Sequence, residues 1–216
     1  MIRLVFRILV ALLLVAVGSA NASAQLAARP ADEWIKMLDA PARVASLRVD
    51  EVIAKLRLAP GQVVADLGAG AGVFSLPLAR AVGPAGKVYA VEIEQGLVDY
   101  IAEKARRQNV SNVRPSLGRF EDPALPAADV DLAFFHDVLH HVADRPLYLK
   151  NVAKYVKPGG RIAVIEPDAE RGPHQNQPTL QVTRERLRGW MAEAGCALVE
   201  ELPTFDNKWY VIYVKK

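Results

Sequence analysis

Residues 64–72 read Val-Ala-Asp-Leu-Gly-Ala-Gly-Ala-Gly. An apolar run from Val63 to Leu67 ends in three alternating glycines, Gly68, Gly70 and Gly72, and an apolar stretch of helical character from Phe74 to Val82 follows. The pattern is a strand, a tight turn and a helix start. Glycine suits that turn because a Cβ would block close approach of a ligand to the backbone or forbid a positive φ. Asp66 is a single acid in an otherwise apolar strand end, a costly placement unless it is paired or meets a ligand. A cofactor site is expected here.

Working outward, strand and helix patterns alternate. Strands are expected at Val63–Leu67, Val88–Ile93, Val113–Leu117, Val130–Phe135 and Arg161–Ile165, with helices at about 73–82, 95–108, 137–142, 146–156 and 183–194. Runs apolar on both faces, such as Leu132-Ala133-Phe134-Phe135, suit central parallel strands covered by helices. Repeated strand–helix units imply an α/β, doubly wound sheet with helices on both faces. Asp144 and Thr183 are placed to cap helices, and Lys157-Pro158-Gly159-Gly160 is expected to end a helix and turn into the next strand. Ala197–Leu202 and Trp209–Val214 read as an antiparallel hairpin. Residues 166–180 hold three prolines and no apolar period, the character of a lid or a disordered stretch. Residues 30–57 carry apolar side chains at helical spacing and stop at Pro60-Gly61. The expected division is an N-terminal helical cap over 25–60 and a main domain over 61–216.

The first 24 residues have a different character. Arg3 and Arg7 precede an unbroken apolar run, Ile8 to Val17, and Ala22-Ser23-Ala24 fits a small-residue cleavage site. This reads as a signal peptide over 1–24, cleaved after Ala24, and implies export to a bacterial periplasm. The run is short for a bilayer span, so a membrane association is expected only if the segment stays uncleaved. Without residues 1–24 the basic count falls from 27 to 25 against 24 acids, so a net charge of +3 becomes +1. The basic clusters Lys104/Arg106/Arg107 and Arg184/Arg186/Arg188 read as solvated helix faces, and nothing points to a nucleic-acid groove. Cys196 is the single cysteine in a chain that is 51% hydrophobic, which excludes an intrachain disulfide and a thiolate metal cluster.

A dinucleotide fingerprint would need a glycine at position 73, which is valine. The pattern is instead Asp66-x-Gly68-x-Gly70-x-Gly72, with Glu92 ending the second strand where it can accept from a ribose diol. With Val88-Tyr-Ala-Val-Glu-Ile, Gly118-Arg-Phe-Glu-Asp-Pro-Ala-Leu-Pro, His136-Asp-Val-Leu-His-His and Leu149 to Pro167, the chain resembles the class I S-adenosylmethionine-dependent methyltransferases over about residues 30–216. The resemblance is strongest to the small-molecule branch near the quinone C-methyltransferases and arsenite methyltransferases. It implies a Rossmann-like seven-stranded sheet with the last strand antiparallel, S-adenosyl-L-methionine as cofactor and a small-molecule methyl acceptor. By the same resemblance, Gly68, Ala69, Gly70 and Gly72 would line the methionine part and Asp66 would hold its amino group. Glu92 would grip the ribose, with Ile93 beside the adenine. Gly118, Phe120 and either Glu121 or Asp122 would sit at the adenine edge, and His136 and Asp137 beside the sulfonium.

Methyl transfer is an in-line displacement at a sulfonium carbon, so the protein mainly supplies position and a desolvated site. A base is needed only where the acceptor must lose a proton. His140 or His141 is the candidate base, Glu166 a second candidate for the acceptor pocket, and His174 a weaker third. Were residues 136–141 helical, His136 and His140 would share one face, and Asp137 and His141 another. The H-x-x-x-H spacing of His136 and His140 also resembles a zinc site, but Asp137 is a shorter acid than the usual glutamate; no metal is expected. The lone Cys196 departs from the arsenite branch and sets aside a thiol mechanism on arsenic. The export signal conflicts with a cytoplasmic cofactor. The alternative reading is therefore an exported, non-catalytic module of the same fold that binds a nucleoside-like ligand.

Overall fold

The computed structural model describes residues 29–216, so the signal peptide expected over 1–24 lies outside the described residues. The chain divides into residues 1–30 and a compact unit, Ala31–Lys216, which is described here by itself. No helix among the described residues is long and apolar enough to cross a membrane.

Three short helices open the unit: α1 (Ala31–Leu38), α2 (Pro41–Ser46) and α3 (Val49–Leu56). Then follow β1 (Val63–Leu67), α4 (Ser75–Val82), β2 (Lys87–Glu92), α5 (Gln95–Arg107), β3 (Val113–Leu117), β4 (Val130–His136), α6 (Arg145–Tyr155), β5 (Val156–Pro167), α7 (Arg184–Glu193), β6 (Cys196–Glu201) and β7 (Lys208–Lys215). Seven strands form one sheet in the order β3-β2-β1-β4-β5-β7-β6. The first five run parallel, and β7 runs antiparallel to both β5 and β6. This is the doubly wound sheet that the strand–helix pattern implies, with the antiparallel last strand that the resemblance implies.

The apolar strand runs explain the sandwich. Alternate residues of β4 face opposite layers: Phe135 packs with Val164, Leu149 and Met191, while Phe134 packs with Ala163, Leu78 and Ile101. Each large side chain so buried contributes about 1.5–3 kcal/mol relative to exposure. Leu47, between α2 and α3, and Val52 and Leu56 of α3 join the second layer, so α3 is built into the same core as the sheet. Asp144 accepts from Leu147 N at 3.0 Å and Thr183 from Arg186 N at 3.2 Å, capping α6 and α7 as their sequence positions indicate.

Two local expectations change. The helix before β5 ends at Tyr155, and Lys157-Pro158-Gly159-Gly160 bulges within the strand, because Val156 already pairs with Val130 and Arg161 with Leu132. Residues 137–142 are not a helix. Asp137 has φ +57°, and only Leu139–His141 makes a short 3-10 turn. The cause is competition for the backbone: Asp137 N–H continues the ladder to Ile165 O at 2.9 Å, and the next two N–H groups are taken by the Glu166 side chain. The face-sharing expected of His136/His140 and Asp137/His141 does not arise.

Candidate active site at the carboxyl ends of the strands

The parallel strands deliver their C-terminal residues to one edge of the sheet, and the strand order reverses direction between β1 and β4, where an open α/β sheet forms its ligand crevice. The glycine turn occupies that point. Gly68, Gly70 and Gly72 have φ of +69°, +56° and +69°. The N–H groups of Gly68 and Ala69 both reach Val91 O, at 2.9 and 3.0 Å, which pulls the turn toward the end of β2. A Cβ on Gly68 would stand 2.5 Å from Val138 Cγ2, so this residue must be bare for the loop after β4 to lie against it.

Glu92 ties the turn to β2. Its Oε1 accepts from Gly70 N at 2.6 Å and its Oε2 from Ile93 N at 3.0 Å. Burial pushes its carboxyl above the usual range, opposed by those two backbone donors. Asp66 lies deeper, 3% exposed, and accepts from Ser75 Oγ at 2.6 Å. Burial pushes its carboxyl up to about 7, and the charge of Glu92 acts in the same direction. Beyond Glu92 the large apolar side chains of Ile93, Leu117 and Phe120 stand 38%, 50% and 52% exposed, a concentration of uncovered apolar surface beside an acid. Gly118 N–H bonds Glu92 O at 2.7 Å, and its missing side chain leaves room for Val91. Of the two acids left open there, Asp122 is engaged by Tyr155 Oη at 2.8 Å and Ala124 N at 2.7 Å, whereas Glu121 is exposed.

The turn is roofed by a region that the motif reading did not assign. Leu38, at the end of α1, stands with its Cδ1 3.2 Å from where a Gly70 Cβ would be. Asp39 accepts from Tyr100 Oη at 2.7 Å and from Lys104 Nζ at 2.7 and 2.8 Å, and Lys104 also bonds Ala71 O at 3.1 Å. Lys104 is thus no solvated face residue; its side chain is 14% exposed. Arg106 and the Arg184/Arg188 pair do stay on the surface, with Glu103 and Glu201.

The histidines gather beyond β4. Glu166, fully buried at the end of β5, receives Val138 N at 2.8 Å and Leu139 N at 2.6 Å on Oε1, and contacts His140 Nδ1 at 2.6 Å through Oε2. It organises the loop and His140 instead of lining an open pocket. The rings of His141 and His174 lie 4.0 and 4.9 Å from that of His140. Arg145 holds this group from the side, through Leu139 O, His140 O and Thr179 O, which joins the 3-10 turn to the long loop after β5. His136 points to the other layer, against Phe74 at 4.8 Å. Asp137 pairs with Lys208 at 2.5 Å, a residue from the start of β7 that no sequence pattern marks. No group of three or more histidine, cysteine or acidic side chains among the described residues is arranged to hold a metal ion. An open groove lined by Val44, Arg48, Val49, Glu51, Val73 and Pro77 lies against α2 and α3, and none of the expected site residues lines it.

The bare turn, an acid bonded to it and an uncovered apolar edge define a protein of the Rossmann-like, class I methyltransferase architecture. The methyltransferase-domain family matches residues 58–204, and the chain belongs to that family. It is 32% identical over 108 residues to the nocamycin O-methyltransferase of Saccharothrix syringae, covering 50% of this chain and 39% of that protein. It is 26% identical over 170 residues to the arsenite methyltransferase of Halobacterium salinarum, covering 71% and 42%. The chain therefore spans well under two thirds of these relatives. A solved SAM-dependent methyltransferase from Aquifex aeolicus shares the fold with a TM-score of 0.77, at 24% identity, over 86% of this chain and 98% of that one. The cofactor implied by family and fold is S-adenosyl-L-methionine. The residues present fit it: the turn offers bare backbone, Glu92 can accept from a diol, and Ile93 and Phe120 offer apolar surface to a flat base.

Proposed function

We propose that the protein is an S-adenosylmethionine-dependent methyltransferase acting on a small-molecule acceptor whose reacting group must lose a proton. The observation that carries the cofactor reading is the bond from Gly70 N–H to the Glu92 carboxylate, which makes the glycine turn and the ribose-gripping acid one cradle. When bound, S-adenosylmethionine supplies an electrophilic methyl group. Gly68, Ala69, Gly70 and Gly72 would carry its amino-acid part, with Asp66 beneath. Glu92 would hold the ribose, and Ile93, Gly118 and Phe120 the adenine, leaving exposed Glu121 as the acid for its amino edge.

His140 supports the proton-loss reading. Where the Glu166 carboxylate accepts Nδ1–H, the neutral ring turns Nε2 outward as its lone-pair nitrogen, the atom that would take a proton from the acceptor. Glu166 is a positioning residue in this reading. His141 and His174 flank His140 and shield it from water. A thiol mechanism on arsenite is set aside, because the single thiol, Cys196, is buried away from this edge. Export, with cleavage after Ala24, is part of the proposal on the strength of residues 1–24.

Calorimetric titration of the purified chain with S-adenosylmethionine and with its demethylated product tests the core claim. Saturable binding of both is expected. Absence of binding at about millimolar ligand overturns it and leaves a non-catalytic module of this fold.

A further inference from the structure

His140 lies under cover. It is 5% exposed, with Nδ1 on Glu166 and the rings of His141 and His174 tilted against its own at 4.0 and 4.9 Å. A base must come within about 3 Å of the group whose proton it takes, so part of this cover has to move before a methyl acceptor can reach the ring. His141 follows His140 in the chain and its N–H is held by Val138 O at 2.9 Å, so it moves only with the base. His174 comes from elsewhere, the long segment between β5 and α7.

That segment, residues 168–182, is bonded chiefly to itself. Asp168 Oδ1 accepts from Glu170 N and Arg171 N at 3.0 and 3.2 Å, and Asp168 O accepts from Gly172 N at 2.7 Å. Gln181 Nε2 donates to His174 O and Gln175 O, both at 2.9 Å, and His174 Nδ1 meets Gln177 Oε1 at 2.7 Å. Pro173 and Pro178 fix φ between these bonds. A loop that carries its own hydrogen bonds can move without leaving many backbone groups unpaired. Its ends are anchored: Asp168 N donates to Asn207 O at 2.9 Å, and Val182 is 2% exposed. Between the ends Arg145 clasps it, Nη2 donating to Thr179 O at 2.7 Å. This bond is open to solvent, so water can replace it at small net cost. The same guanidinium holds Leu139 O and His140 O at 2.8 and 2.9 Å, so it fastens the loop to the turn that carries the base.

We propose that residues 168–182 are a lid over His140, clasped by Arg145, that swings as one body on its two ends to admit the methyl acceptor and closes for reaction. This rests on reading His140 as the base. Arg145 is a positioning residue, and His174 is the part of the lid that closes over the ring. A seated lid excludes water from the site while the methyl group moves.

Diethylpyrocarbonate, which acylates neutral imidazole, tests this on the purified full chain at neutral pH, with each labelled histidine located by peptide mass spectrometry. In the wild type His140 is expected to react more slowly than exposed His141 and faster than His136, which is buried against Phe74 in the other layer. Arg145→Met should raise the His140 rate by at least about tenfold, the effect on opening of losing one hydrogen bond from a charged group. In that variant the amides of Gln177 and Leu180, bonded within the loop to His174 O and Gln177 O, should exchange hydrogen as in the wild type. His174→Ala, which keeps the clasp, should also raise the His140 rate, and His136 should not change in either variant. A wild-type His140 rate equal to that of His141 means no cover, and one equal to that of His136 means exposure only by unfolding; either overturns the lid. So does an unchanged His140 rate in either folded variant, a His136 rate that rises in step, or faster exchange at Gln177 and Leu180, which means that the loop unravels and does not swing. Should Arg145→Met fail to fold, His174→Ala and the wild-type order still decide. Titrating the same samples with S-adenosylmethionine separates the two claims. Cofactor binding without the expected His140 rates sinks the lid alone, and an opening lid on a chain that binds no cofactor sinks methyl transfer alone.

Discussion

Glu92, Asp66 and Glu166 are three acids at three strand ends, and their surroundings give them different work. Glu92 reaches the turn through Gly70 N–H and keeps lone pairs for a ligand. Glu92→Ala is expected to weaken S-adenosylmethionine binding by about 1.5–3 kcal/mol, the loss of a charged acceptor, and an unchanged affinity by calorimetry would show that it does not hold the ribose. Asp66 is closed in with Ser75, and burial raises its carboxyl to about 7. An unfolded aspartic acid titrates near about 3.9. The folded state therefore binds this proton more tightly, and stability should fall as pH rises from about 4 to about 7, by about 4 kcal/mol at most. Asp66→Asn should flatten that slope, read from denaturant midpoints across the same window. Glu166 serves Val138, Leu139 and His140 at once. Glu166→Gln keeps its shape but loses the charge behind the imidazole, and His140→Ala removes the base. Each should lower turnover by about 10²–10⁴-fold with cofactor affinity unchanged, and full activity in either variant would remove His140 from the chemistry.

At the level of elements, the turn after β1 is where three pieces of backbone meet. β2 receives its N–H groups, the loop after β4 lies against Gly68, and Leu38 of α1 lies over Gly70. Strand β1 and this turn were legible because their signal is contiguous: apolar alternatives on both sides of β1, then glycines at positions that need φ above zero. The loop after β4 was misread as helix because its spacing is helical while its N–H groups are claimed by Ile165 and Glu166, residues that no local pattern associates with it. Gly68→Ala should push Val138 aside, since a Cβ would come within 2.7 Å of both of its methyl groups, and should destabilise the fold by about 1–3 kcal/mol as an overpacked site. Gly70→Val should weaken cofactor binding and also lower stability, because a β-branched residue is strained at φ +56° and its Cβ would stand 3.2 Å from Leu38 Cδ1, which together distort the turn. Binding at wild-type strength in Gly70→Val would place the ligand elsewhere.

Across the whole molecule, the chain joins an N-terminal segment with the character of an export signal to a domain whose family implies a cofactor made in the cytoplasm. The protein from an envelope fraction is expected to begin at Gln25 on N-terminal sequencing; a start at Met1 would mean the segment is kept. The fold follows from the sequence because each strand and helix is specified by its own periodicity, and right-handed crossovers leave few ways to order them. The cofactor class follows from the family, which the chain resembles through Asp66, the three glycines and Glu92. The acceptor side does not. Its pairs join residues far apart in the chain: Glu166 with the loop 26–28 residues before it and Asp137 with Lys208, 71 residues on; the roof over the glycine turn likewise joins Asp39 with Lys104, 65 residues on. What the linear order determined by itself was the sheet and its glycine turn, both written in local patterns of burial and backbone freedom. What only the tertiary structure decided was which histidine faces an acid and which lysine balances which aspartate, because burial and charge at those atoms are set by neighbours that the chain brings together only on folding.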